Sequence, residues 1–173
     1  MSFSNIEIKA RCFHPEKVEA FLLANGARFV GLDHQKDTYF QVPRGRLKLR
    51  QGNIENSLIF YERPDQEGPK HSEFSLSKIT HGPETEQVLT QALGIKVIVE
   101  KHRKIFYIGN VKFHLDEVPG LGSFVEIEAG NLADPSKTLA DLQEQCDFYV
   151  QAFGIQEANL IHHSYSDMIL AKS

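Results

Sequence analysis

Polar and apolar residues alternate along most of this chain, and a period of two predicts strands. The pattern places them at Ser4 to Phe13, Phe29 to Val42, Arg46 to Gln51, Asn56 to Arg63, Ser72 to Ile79, Val97 to Ile108, Val111 to Val118 and Ser123 to Ala129. Three segments change to helical spacing, after His14-Pro15, Gly82-Pro83 and Asp134-Pro135, each with a proline suited to a first helical turn. Their apolar positions are Val18, Phe21 and Leu22, then Val88, Ala92 and Leu93, then Leu139, Leu142 and Cys146. A short helix is expected over Ser164 to Ala171. Gly109-Asn110 predicts a tight antiparallel hairpin. Gly120-Leu121-Gly122 lacks the Lys-Ser/Thr of a phosphate-binding P-loop and predicts a turn into the last strand.

The faces of these strands are unequal. Asn5, Glu7, Lys9 and Arg11 share one side of the first, against Ile6, Ile8 and Ala10. Arg46, Lys48 and Arg50 oppose Leu47 and Leu49, and Tyr61 stands with Arg63. Lys101 and Arg103 share a face, as do Lys112, His114 and Asp116, while Glu126 and Glu128 alternate with Val125 and Ile127. Alternation alone fixes no direction: these faces either meet solvent or line the inside of a curled sheet whose apolar side is covered by helices. Two features favour the inside. Acids and bases mostly sit on different strands, and arginine, whose planar fork suits phosphate oxygens, recurs among the bases.

Composition narrows the partners. The chain has 173 residues, 41% hydrophobic and 24% charged, which fits one domain over 1–173. A net charge of −4 argues against a general nucleic-acid or anionic-membrane surface, so any basic cluster is local. No apolar run reaches the roughly 18 residues of a spanning helix, and the start lacks a signal pattern, so a cytoplasmic protein is expected. Cys12 and Cys146 have no metal-ligand spacing and are expected to be reduced, partly buried thiols. The histidines lack a zinc-ligand pattern.

Taken in order, Asn5-Ile6-Glu7-Ile8-Lys9, Asp37-Thr38-Tyr39-Phe40, Arg46-Leu47-Lys48-Leu49-Arg50, Tyr61-Glu62-Arg63-Pro64, Val99-Glu100-Lys101-His102-Arg103 and His114-Leu115-Asp116-Glu117-Val118-Pro119-Gly120-Leu121-Gly122, then Phe124 to Glu128, resemble the CYTH superfamily. That superfamily includes class IV (CyaB-type) adenylate cyclases and thiamine triphosphatases, and the CyaB-type branch is the more similar. The resemblance implies an α+β fold, an antiparallel eight-stranded tunnel barrel with a charged interior and helices packed outside. It also implies metal-dependent action on a triphosphate: cyclisation of ATP to cyclic AMP and pyrophosphate, hydrolysis of thiamine triphosphate or tripolyphosphate, or binding without turnover. Residue by residue, it assigns Glu7, Asp116, Glu126 and Glu128 to Mg²⁺ or Mn²⁺. It assigns Arg46, Lys48, Arg50, Arg63, Lys101 and Arg103 to the triphosphate, and Lys9 with Tyr39 to a catalytic pair. The implied partner is a small-molecule triphosphate, with no nucleic acid or membrane, for a monomer or homodimer. One position departs from the family pattern: Asn5 stands where its first glutamate is expected. An amide oxygen ligates a divalent cation without bringing charge, so the number of metal ions is left open.

Overall fold

The computed structural model describes residues 2–62 and 69–172. Eight strands form a closed antiparallel barrel in the order β1-β5-β4-β3-β2-β6-β7-β8. They are β1 (Ser2–Arg11), β2 (Arg28–Phe40), β3 (Arg46–Gln51), β4 (Asn56–Glu62), β5 (Lys70–Lys78), β6 (Ile95–Ile108), β7 (Val111–Val118) and β8 (Gly122–Gly130), with α1 (Pro15–Ala24), α2 (Gly82–Leu93), α3 (Leu139–Ala152) and α4 (Tyr165–Lys172) outside or at an end. β2 to β5 and β6 to β8 are two meanders joined by the long β2–β6 ladder, and β1 seals the barrel between β5 and β8. Gly109 and Gly120 take positive φ, as the tight turns flanking β7 require.

The barrel inverts the usual arrangement on one side. Ile6 and Ile8 of β1, Phe113 and Leu115 of β7, and Val125 and Ile127 of β8 point outward into the main core. That core is completed by Val18 and Leu22 of α1 and by Leu142 and Cys146 of α3. With the apolar side so committed, the alternate residues of the same strands face the lumen. The expected hairpin, turn and two buried thiols are all present.

Three helical details differ from the sequence reading. Pro135 opens a turn, not a helix: Asp134 Oδ1 accepts from Ser136 Oγ, and the helix begins at Leu139 behind a Thr138/Asp141 capping box. Leu139 itself is exposed, so only Leu142 and Cys146 of the expected stripe are buried. Val88, Ala92 and Leu93 face outward on α2, which has no buried residues. This helix docks instead through Glu86, whose Oε1 accepts from Lys36 Nζ at 2.8 Å and Thr38 Oγ1 at 3.1 Å. Among the described residues no helix is long and apolar enough to cross a membrane.

Candidate functional site

The lumen is a cavity of about 710 Å³. Its charged lining includes Glu7 and Lys9 from β1, Lys48 and Arg50 from β3, Lys101 and Arg103 from β6, and Glu126 and Glu128 from β8. Four elements distant in sequence therefore converge, each contributing residues two apart on an inward face.

The basic side is organised around Asp37. Arg50 donates from Nε to Oδ1 at 2.9 Å and from Nη2 to Oδ2 at 2.8 Å, while Lys101 Nζ donates to Oδ2 at 2.7 Å. Lys48 Nζ lies 3.9 Å from the same oxygen. Burial would raise the Asp37 carboxyl, but Arg50, Lys101 and Lys48 hold it well below the usual carboxylate range. Burial pulls Lys48 well below an ordinary lysine, with Arg50 adding to the effect. Burial brings Lys101 down to about 8 against the opposing pull of Asp37. These groups are almost fully enclosed: Arg50, Lys101 and Arg103 are 8%, 2% and 3% exposed.

A second node lies beside it, sharing β6. Arg103 donates from Nε and Nη2 to both oxygens of Asp116 at 2.7 Å, and from Nη2 to Glu126 Oε1 at 3.0 Å. Tyr165, at the start of α4, donates its hydroxyl to Asp116 Oδ2 at 2.8 Å. Lys9 Nζ sits 4.0 Å from Glu126 and 3.7 Å from the Tyr165 ring centre. Burial lowers the Lys9 pKa, Glu126 and Asp116 oppose that, and Arg103 and Arg46 add to it. Tyr39 lies elsewhere: its hydroxyl is 3.5 Å from that of Tyr61, and burial with Tyr61 and Asp37 pushes its pKa well up. It is a proton donor at neutral pH.

Of the acids assigned to metal, Glu7 and Glu128 are directly opposed across the β1–β8 ladder, with Lys9 opposite Glu126 one step along the same face. Like charges directly opposite repel, and a hard cation between them removes that cost, so this donor set fits Mg²⁺ or Mn²⁺. Asn5, fully buried on the same strand face, leaves both polar atoms of its amide without a hydrogen-bond partner. Its oxygen is thus an available neutral ligand atom. Asp116 is occupied by Arg103 and Tyr165 and is not part of the cavity lining.

Of the two remaining assignments, Arg46 lies at one end of the barrel, close enough for its charge to lower the Lys9 pKa. Arg46 donates from Nη2 to Asp167 Oδ2 of α4 at 2.8 Å, tying the terminal helix over one end of the barrel. Arg63 lies outside the described residues.

Sequence reasoning missed four interior groups. Asp33, Gln35 and Asp37 join Tyr39, which the resemblance had named, on one inward face of β2, which the alternation rule would have found. Glu55, in the β3–β4 turn, reaches across the lumen: its carboxylate accepts from Gln35 at 3.0 Å and Arg50 at 3.4 Å, and pairs with Lys112. Asp33, accepting from the backbone N–H groups of Ile54 and Glu55, helps to orient it, and no local pattern announces that. His114 is 2% exposed, with neither ring nitrogen in a hydrogen bond, beside Asp116 and with Nδ1 3.8 Å from Glu126 Oε2. Tyr165 closes one end of the cavity and carried no signal beyond a terminal helix.

A family model described as the CYTH domain matches residues 4–165. A Methanocaldococcus jannaschii protein bearing a provisional adenylate cyclase name is 24% identical over 176 residues, spanning 94% of this chain and 97% of its own length. The solved Pyrococcus horikoshii protein PH1012 superposes with a TM-score of 0.79 at 21% identity, over 94% of this chain and 98% of its own. A Hippeastrum protein, described as an adenylyl cyclase candidate that reveals a dominant triphosphatase activity, gives a TM-score of 0.61 at 14% identity, over 98% of this chain and 95% of its own.

Proposed function

The chain belongs to the CYTH domain family, and on that premise we propose that it is a metal-dependent adenylate cyclase converting ATP to cyclic AMP and pyrophosphate inside the tunnel. The observation that carries this is the enclosure of Lys48, Arg50, Lys101 and Arg103 around one cavity. Burying cations is costly, and a polyanion recovers that cost by meeting them in a low-dielectric site. Arg50 and Arg103 have their forks fixed by Asp37 and Asp116 before substrate arrives, so they stabilise charge growing on the departing pyrophosphate without reorganising.

In cyclisation the ribose 3′ oxygen forms a bond to the α-phosphorus, the bond to the pyrophosphate oxygen breaks, and the 3′ hydroxyl loses its proton. Lys9, whose pKa burial lowers, is the acceptor in this reading, and the Tyr39 hydroxyl is a donor that orients phosphate oxygen. Glu7, Glu126 and Glu128, with the Asn5 amide, would hold Mg²⁺ or Mn²⁺, and Asp116 acts through Arg103. A divalent ion bound there supplies Lewis-acid neutralisation of phosphoryl oxygens.

Hydrolysis is the second reading, favoured by the triphosphatase activity named for the Hippeastrum protein. Incubating the pure chain with Mg²⁺ or Mn²⁺ and ATP, thiamine triphosphate or tripolyphosphate, and resolving the products, separates the readings. Cyclic AMP and pyrophosphate in equal amounts are expected from ATP. Orthophosphate in their place assigns hydrolysis, and tight binding with no product assigns a binding protein.

The pH dependence of binding is a further expectation. ATP should bind the metal-free chain most tightly below pH 8 and lose affinity above it, because Lys101, with its pKa near 8, then gives up the charge that meets phosphate. Titration calorimetry from pH 7 to 9.5 reads the slope, which Lys101→Arg should flatten since guanidinium stays charged. An unchanged slope in that variant removes Lys101 from the site.

A further inference from the structure

The outer face of the long β2–β6 ladder carries a cluster that the lumen chemistry does not use. Asp33, Gln35, Lys101 and Arg103 are buried, so His34 and His102, which alternate with them, point to solvent, and both are exposed. The two histidines are direct cross-strand neighbours, with ring centroids 4.3 Å apart and planes at 49°. The row continues onto β7, where Glu117 is the neighbour of His102 on its other side and is exposed as well. Three side chains with metal-ligating atoms therefore lie side by side on three adjacent strands. No spacing in the sequence announces them, because the ladder joins residues far apart in the chain.

The surroundings leave this row unclaimed. The flanking cations on the same face are engaged by other acids: Lys36 Nζ lies 2.8 Å from Glu86 of α2, and Lys104 Nζ donates to Glu19 of α1 at 3.3 Å. Among the described residues, neither imidazole nor the Glu117 carboxylate takes part in a hydrogen bond or an ion pair. The backbone beneath is held in place: His34 N–H donates to Asn53 Oδ1 at 2.6 Å, and Asn53 Nδ2 donates back to Leu32 O at 3.1 Å. Imidazole nitrogen suits zinc, nickel and copper, whereas magnesium and calcium take oxygen ligands. Directly opposed side chains leave their strands about 4.5–5.5 Å apart at Cβ, and zinc holds each nitrogen at about 2.0–2.1 Å. Two histidines in this register thus close on one ion by side-chain rotation alone. Glu117, exposed and unpaired, turns toward the same ion and brings it a negative charge, and water completes a tetrahedral set.

We propose that His34, His102 and Glu117 form a site for a divalent transition ion on the outside of the barrel, with zinc as its occupant, separate from the acids of β1 and β8 that suit a hard cation. An ion held there staples β2 to β6 directly behind the Asp37–Lys101 pair, and so braces the wall that carries the buried cations.

The test is calorimetric titration of the untagged full chain with Zn²⁺. One ion per chain is expected at this face. His34→Gln and His102→Gln should each weaken it about tenfold or more, and Glu117→Gln by a smaller factor. Zn²⁺ should raise the melting temperature of the unmodified chain by mass action and raise it much less in either histidine variant. Two controls separate this site from other histidines. His114→Gln alters the His114, Asp116 and Glu126 group of the lumen, and His163→Gln alters the other close pair of rings; both should bind Zn²⁺ here as before. With one equivalent of Cu²⁺ as the probe, electron paramagnetic resonance should show coupling to two imidazole nitrogens, falling to one in either His34→Gln or His102→Gln. The proposal is overturned if the unmodified chain binds no Zn²⁺, or if His34→Gln and His102→Gln bind it unchanged. Loss of binding in His114→Gln with none in His34→Gln overturns it too, as does one ion shared by two chains. Both histidines are exposed, so the variants should fold like the unmodified chain, and melting curves without metal read that directly.

Discussion

Asp37→Asn is expected to destabilise the free protein by about 3 kcal/mol and to be rescued by polyanions. Asp37 is 1% exposed and is the common counter-ion of Arg50, Lys101 and Lys48. Asparagine keeps the volume and one acceptor oxygen but leaves those cations enclosed without their negative charge. Removing one member of a buried ion cluster costs about 3–5 kcal/mol, chiefly through the charge left behind. The same geometry makes Asp37 a resident stand-in for phosphate, so saturating tripolyphosphate should restore most of the loss by mass action. Urea denaturation with and without tripolyphosphate measures both. A second consequence concerns pH. The Asp37 pKa is depressed in the folded state, so its contribution is present above the unfolded carboxylate value near 4 and is lost as pH falls toward the folded pKa. Stability of the unmodified chain should therefore fall with acid more steeply than that of Asp37→Asn. Equal stability of the two at neutral pH would mean that the cations do not depend on this carboxylate.

Asp37 also illustrates what the sequence disclosed. Strand alternation made the two-faced character of β1, β3, β6 and β8 legible, and Ile6, Ile8, Val125 and Ile127 are indeed the outward core. Direction was not legible from alternation, because a period of two is the same whichever face is buried. It was fixed by tertiary facts: α1 and α3 covering one side, and β1 closing the ring between β5 and β8. Motif order supplied the tunnel fold, yet not the internal anions, because Asp37 and Glu55 act through partners between 5 and 64 residues away. A charged residue read alone looks like a ligand site. Arg46 shows what that reading leaves out, since its guanidinium is also engaged by Asp167 on α4. The helix stripe of α2 misled for a related reason: a helix docked through Glu86, Lys36 and Thr38 has no need to bury its apolar side.

The two glutamates of β8 should respond to the same substitution by different amounts. Glu126 accepts from Arg103 and neighbours Lys9, and those cations hold its pKa well down despite burial. Glu126→Gln removes a negative charge from a cationic neighbourhood, so the metal-free chain should lose stability along with activity. Glu128 instead faces Glu7 directly across the ladder. Lys112, its other cross-strand neighbour, pairs with Glu55 and is also held by the charge of Glu128. Glu128→Gln therefore relieves a like-charge contact worth a few tenths of a kcal/mol to about 1 kcal/mol while giving up the attraction of Lys112, and the metal-free melting temperature should change little. Its effect on chemistry should be large, because the amide removes one of the two charges that most directly favour a divalent cation there. Turnover at fixed Mg²⁺ or Mn²⁺ is expected to fall on the order of 100-fold, with part recovered as metal concentration is raised. Melting curves with and without metal, beside turnover against metal concentration, read both arms. If Glu128→Gln and Glu126→Gln lose stability alike in the absence of metal, Glu128 is held by its cationic neighbours as firmly as Glu126. If Glu128→Gln keeps full turnover at limiting metal, the acids of β1 and β8 do not hold the ion.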